Sequence, residues 1–218
     1  MLQFITKPSD RWSIIKESEM VLNGGCRWIQ LGGSEIGDSF TLRRDTAEKL
    51  IPLCRDNEAF LIIEDDIDMV DELKVHGVFL RDCTRSNVQS ARERLGAEAV
   101  IGVAARTVED IENLRGLDID YVTIEAPSAL TSSEAILNFF GDIISRVDFE
   151  RINFHLVAKC DCLPELLPQY IVKGYAGVAI SNLVADAEDP TVAVSTILKL
   201  LDQARIEKNG VDADSICL

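Results

Sequence analysis

Apolar residues in this chain come in short continuous runs, each followed by a stretch in which apolar positions recur every three to four residues. The runs cover residues 2–6, 27–31, 60–63, 77–80, 99–104, 121–124, 152–157 and 177–180. Continuous rather than alternating runs of this length are the mark of strands buried on both faces, as in a parallel sheet. The helix-period stretches between and after them cover residues 10–22, 45 or 46 to 54, 66–73, 86–95, 108–114, 133–144, 164–172 and 190–205. On the first of these, Trp12, Ile15, Met20 and Val21 are expected to turn inward.

Parallel strands need crossover connections, and every connection here is about one helix long. Eight strand–helix units with no linker predict a single-domain α/β fold, a closed (β/α)8 TIM barrel over residues 1–206 with a frayed tail at 207–218. A doubly wound open sheet is the competing arrangement. In a barrel the sites lie on the loops that follow the C-terminal strand ends. The residues at those places are Gln30 with Gly32, Gly33 and Ser34; Glu64, Asp65 and Asp66; Arg81 and Asp82; Ala104 and Arg106; residues 125–128; Lys159, Cys160 and Asp161; and Ser181 with Asn182.

Composition narrows the choice of partners. The chain has 218 residues, 47% hydrophobic and 27% charged, which is the balance of a globular protein. No apolar run approaches the ~20 residues of a membrane span. A net charge of −15 makes nucleic acid and anionic membrane surfaces poor partners. An anionic small substrate stays open, because a site is a local field. The start of the chain has neither a basic region nor a long apolar stretch, so no signal peptide is expected. The six cysteines include no Cys-x-x-Cys pair and read as reduced cytoplasmic thiols.

Three stretches carry candidate chemistry. Glu64, Asp65 and Asp66 directly follow a buried strand, where hard oxygen ligands suit Mg²⁺. The same acids could instead cap the next helix, and the two roles are compatible. Gln30 is the one polar residue near its strand end and could contact a ligand or only the backbone. Gly32 and Gly33 after it make a flexible loop with free N–H groups, or simply a turn. The stretch that ends in Ser181 and Asn182 could hold a phosphate on backbone N–H groups, or supply ordinary helix caps. Cys160-Asp161-Cys162 lacks further ligands at zinc spacing. His76 is expected at a helix-to-strand turn at the bottom of the barrel, and His155 inside a strand, packed in the core. No Ser/His/Asp or Cys/His set converges at the mouth, which disfavours nucleophilic hydrolysis.

Residues 24–200 resemble the thiamine phosphate synthase and thiazole tautomerase family. Gln30-Leu31-Gly32-Gly33-Ser34 stands where the family has Gln-Leu-Arg-x-Lys, and Glu64-Asp65 where it has Asn-Asp. Gly77 to Asp82 follows the family's Gly-x-His-Leu-Gly-Gln, and Gly102 to Arg106 its Gly-x-Ser-x-His. Asp120-Tyr121-Val122 is intact, and Gly177 to Ser181 is close to the family form. The resemblance implies a (β/α)8 barrel that joins a pyrimidine pyrophosphate to a thiazole phosphate, using Mg²⁺ and releasing pyrophosphate. It implies that Gln30 orients the pyrimidine, that Asp65 with Glu64 or Asp82 holds Mg²⁺, and that Ser181 and its neighbours hold the thiazole phosphate. It also implies a phosphorylated small-molecule partner, with a homodimer left open.

The synthases' pyrophosphate-binding Arg and Lys are Gly32 and Ser34 here, and the tautomerases' catalytic His is Arg106. Arg81, Arg106 and Lys159 stand at other strand ends. They either converge on one pocket beside Asp65, as a relocated cation set, or pair with the surrounding carboxylates and neutralise the mouth. The surplus of acids there favours pairing. The first functional reading is therefore a thiamine phosphate synthase-like transferase. The second is an inactive or repurposed barrel that binds a phosphorylated metabolite or a protein partner. The third is an unrelated lyase or isomerase that uses Lys159 as a Schiff-base or proton-transfer lysine.

Overall fold

The computed structural model describes residues 1–32 and 40–209. The strands are β1 (Leu2–Ile5), β2 (Trp28–Leu31), β3 (Phe60–Glu64), β4 (Gly77–Leu80), β5 (Val100–Ala105), β6 (Tyr121–Glu125), β7 (His155–Lys159) and β8 (Gly177–Ile180). All pair in parallel and in sequence order. β1 also pairs with β8, with Gln3 opposite Ala179, so the sheet closes and the open-sheet alternative falls.

The helices are α1 (Ile14–Asn23), α2 (Phe40–Asp56), α3 (Ile67–Leu73), α4 (Arg85–Leu95), α5 (Val108–Asn113), α6 (Ser133–Arg146), α7 (Leu167–Lys173), α8 (Asn182–Ala185) and α9 (Pro190–Asn209). Local chemistry sets several of their starts. Ser13 accepts from the Lys16 N–H and begins α1, and Ser132 accepts from Ala135 at α6. Thr107 and Asp110 cap each other's backbone at α5 in a reciprocal capping box.

Two apolar layers result. One lies between barrel and helices and includes Leu22, Leu31, Ile63, Val78, Ile101, Val122, Leu156 and Val178. The other fills the barrel: Ile5, Ile62, Phe79, Ala104, Tyr121, Val157 and Ala179. Gly102 makes room for Tyr121, since a Cβ there would stand 2.1 Å from the tyrosine Cζ. Gly102→Ala is expected to cost about 1–3 kcal/mol of stability by overpacking, read by chemical denaturation.

Several expectations need correction. α1 starts at Ile14 rather than at residue 10, because Ser13 provides the cap. Its buried face is Glu17, Ser18, Val21 and Leu22, while Trp12, Ile15 and Met20 are only half-buried. His155 is not in the core: it opens β7 at the bottom rim and is exposed. α9 continues to Asn209, past the expected helix end at residue 205. The rest of the expected tail lies outside the described residues, as do Gly33 and Ser34. His76 sits where expected, its Nδ1 accepting from the Leu61 N–H at 3.0 Å.

Candidate functional site

Side chains alternate between the two faces of a strand, and here that alternation selects the rim. Two residues beyond the interior residues Ile5, Ile62, Phe79, Ala104, Val157 and Ala179 come Lys7, Glu64, Arg81, Arg106, Lys159 and Ser181. All six line one cavity of about 330 Å³ at the C-terminal end of the barrel. Thr6, Gly32, Glu125, Asp161 and Asn182 line it with them. Asp65 and Asp82 have the opposite parity and are not among the lining residues.

Convergence and pairing, set out above as alternatives, both occur. Arg81 Nε lies 3.0 Å from Glu64 Oε1 and 2.5 Å from Asp65 Oδ2. Glu125 holds two cations, with Arg106 Nη2 at 3.0 Å and Lys159 Nζ at 2.9 Å. Burial pushes the Glu125 carboxyl up, but Lys159 and then Arg106 outweigh it and leave it below the usual carboxylate range. The Arg81, Arg106 and Lys159 side chains are 50%, 69% and 42% exposed. Their partners Glu64 and Glu125 are only 9% and 16% exposed, so these are not simple surface pairs. A phosphoryl group, which carries more negative charge than one carboxylate, can compete with Glu125 for Arg106 and Lys159. Lys7, at the end of β1, adds a fourth cation and donates to Asn182 Oδ1.

Beneath the cavity runs a buried polar chain. Gln3 Nε2 donates to Gln30 Oε1 at 2.9 Å and to the Tyr121 hydroxyl at 3.0 Å. Gln30 Nε2 donates to Glu64 Oε2 at 3.0 Å. With its oxygen engaged from below, the Gln30 amide is fixed with its NH₂ toward Glu64. Gln3→Leu would leave Gln30 Oε1 and the tyrosine hydroxyl without this donor. It is expected to cost about 1–3 kcal/mol, read by denaturant unfolding.

The acidic run divides its work. Asp66 caps α3 by accepting from the Met69 N–H. Asp65, at φ 53°, accepts the Arg81 main-chain N–H at 2.8 Å as well as Nε. Glu64 turns into the barrel mouth, and its carbonyl accepts from Arg43. Asp82 faces α4, accepting from the Thr84 N–H and Asn87 Nδ2.

At the other side of the mouth, Asp161 Oδ1 accepts the N–H groups of Ser181 and Leu183 at 2.7 and 3.1 Å. Ser181 Oγ donates to the Ile5 carbonyl. Backbone donors that could meet a phosphate here are held by a carboxylate of the neighbouring loop.

The carboxylates assigned to Mg²⁺ do not make a ligand set. Asp65 spends both oxygens on Arg81, Glu64 accepts from Gln30 and Arg81, and Asp82 serves a helix end. Among the described residues no group of three or more His, Cys, Asp or Glu is placed to hold a metal ion. Cys160 and Cys162 are buried free thiols without a third ligand.

Sequence reasoning missed Lys7, Gln3 and Tyr121. The first two were within reach of the parity argument, since Gln3 and Lys7 flank the inward Ile5 by two residues on either side.

A closed (β/α)8 barrel that gathers four cations around one cavity at its C-terminal mouth is of the class that handles small anionic molecules. The family model described as thiamine monophosphate synthase matches residues 2–182, and this chain belongs to that family. The thiamine-phosphate synthase of Bacteroides thetaiotaomicron is 31% identical over 205 residues, which covers 91% of this chain and 96% of that protein. That of Bacteroides fragilis is 30% identical over 205 residues, covering 91% and 98%. Among solved structures, the thiamine phosphate pyrophosphorylase from Pyrococcus furiosus superposes with a TM-score of 0.75 at 21% identity, over 93% of this chain and 96% of that one. That last likeness concerns the fold.

Proposed function

We propose that this chain is a thiamine phosphate synthase-like transferase. It joins a pyrimidine pyrophosphate to a thiazole phosphate, breaking the C–O bond to pyrophosphate as the bond between the two rings forms. The observation that carries this reading is the gathering of Lys7, Arg81, Arg106 and Lys159 around one cavity in a barrel of this family. Gln30, buried and held between Gln3 and Glu64, lies beneath the cavity and sets the position of the Glu64 carboxylate that lines it. The cations receive the negative charge that develops on the departing pyrophosphate. This is electrostatic stabilisation, with little acid–base work. Arg suits bidentate contact with phosphoryl oxygens and Lys a point contact. Ser181 and Asn182 border the same cavity, and a thiazole phosphate there would replace Asp161 as the partner of the Ser181 and Leu183 N–H groups. The residues that the resemblance assigns to Mg²⁺ are engaged with Arg81, Gln30 and the start of α4.

The five described cysteines are free, which suits a reducing cytoplasm. Whether the chain works as a homodimer is read by sedimentation. Lys159 is paired with Glu125 rather than set in an apolar pocket, the surroundings that activate a Schiff-base lysine. The test is incubation of the protein with both precursors and detection of thiamine phosphate. Equal release of product and pyrophosphate supports the reading. Absence of product at millimolar precursors, with the protein folded, refutes it.

A further inference from the structure

Two carboxylates side by side at a barrel mouth call for a positive charge between them. Here Arg81 supplies it. Its Nε meets Glu64 Oε1 at 3.0 Å and Asp65 Oδ2 at 2.5 Å, and its main-chain N–H meets Asp65 Oδ1 at 2.8 Å. A metal ion at the pair would have to sit beside this guanidinium, against its positive charge. Among the described residues, Arg81 hydrogen-bonds to protein through its Nε and main-chain N–H and not through Nη1 or Nη2, although the side chain lines the cavity. The fork that suits phosphoryl oxygens is therefore left for a ligand.

We propose that Arg81 takes the place of a divalent cation between Glu64 and Asp65, so that the mouth binds a pyrophosphate group without metal. The inference rests on the synthase reading for its ligand class. It departs from the Mg²⁺ dependence that the family resemblance implies. The other side of the cavity fits it. Arg106, Lys159 and Lys7 add three more positive charges, set against the Glu64, Glu125 and Asp161 carboxylates that line the same cavity. Two of these cations rest on the single carboxylate Glu125, which one ligand phosphoryl group can replace as their partner. The Asp65 carboxylate also holds the Arg81 pKa above its ordinary value, so the guanidinium stays charged. Unlike a bound ion, it cannot be removed by chelation.

The test is isothermal titration of the full chain with inorganic pyrophosphate, once in EDTA and once in excess Mg²⁺, and with MgCl₂ alone. The expected result is binding in EDTA within about threefold of that in Mg²⁺, and no heat of binding from MgCl₂. Arg81→Ala should weaken binding in EDTA by about tenfold or more. Arg81→Lys, which keeps the charge and loses the fork, should fall in between; it also serves if the alanine variant folds poorly. Pyrophosphate binding confined to Mg²⁺ would overturn the inference and leave the synthase reading standing. So would Mg²⁺ binding that Asp65→Asn abolishes, or an alanine variant with undiminished affinity in EDTA. No binding in either buffer would overturn both.

Discussion

Glu17→Gln is expected to stabilise the protein by about 1–3 kcal/mol at pH 8 and to flatten its pH dependence below neutrality. Glu17 lies on the buried face of α1, 0% exposed, and neither carboxylate oxygen has a hydrogen-bond partner among the described residues. Burial pushes its pKa up to about 7; Lys7 opposes that shift and Asp186 adds to it. The unfolded chain carries the same carboxyl near 4.5. Between those values the native state holds a proton that the unfolded state has lost. The contribution is thus intact below pH 4.5, declines as pH rises through 7, and is absent above it. A shift of this size corresponds to about 3 kcal/mol. Glutamine keeps the shape and removes the charge, though its buried amide still lacks partners, so part of that amount returns. For a chain of this length the melting temperature should rise by roughly 2–4 °C per kcal/mol. Melting curves of both proteins from pH 4 to 8 check this. Parallel curves for the two would contradict the burial of an unpaired carboxylate.

Replacing Lys159 or Arg106 by alanine is expected to lower kcat for thiamine phosphate formation by about 10²–10³-fold each, the usual cost of removing one preorganised partner of a developing charge. The two effects should not simply add, because both cations share Glu125. Stability should fall by about 1–2 kcal/mol in each variant, because the cation ends are exposed but the mostly buried Glu125 carboxylate keeps only one partner. Steady-state rates with both precursors, together with denaturation midpoints, separate the two effects. An unchanged kcat for both variants would place the leaving group elsewhere.

The barrel was legible because its signal is repeated eight times: a short apolar run, then a helix period, with no room for a linker. Position along the rim was legible through strand parity, which brings Gln30, Glu64, Arg81, Arg106, Lys159 and Ser181 to the inside of the barrel or its mouth. What parity could not give was pairing. Whether Arg81 meets a ligand or Asp65 depends on a turn at φ 53° that brings the next strand end alongside. The capture of the Ser181 and Leu183 N–H groups by Asp161 likewise joins loops 20 residues apart or more. Glu17 was hidden for a related reason. A Glu-Ser pair in a helix reads as a solvated face, and only the packing of α1 in the fold, with α2 and α9 beside it, shows that it is buried. His155 misled because the expected strand began three residues early, which moved a bottom-rim side chain into the core.

The account stands on the claim that the rim cations form one phosphoryl-binding cavity. The most direct test is a crystal structure of the protein with pyrophosphate. The account predicts pyrophosphate in the 330 Å³ cavity, within hydrogen-bond reach of at least two of Arg81, Arg106 and Lys159, with the Glu125 pairs opened. Pyrophosphate bound elsewhere, or an empty cavity with both Glu125 ion pairs intact at saturating ligand, would contradict it.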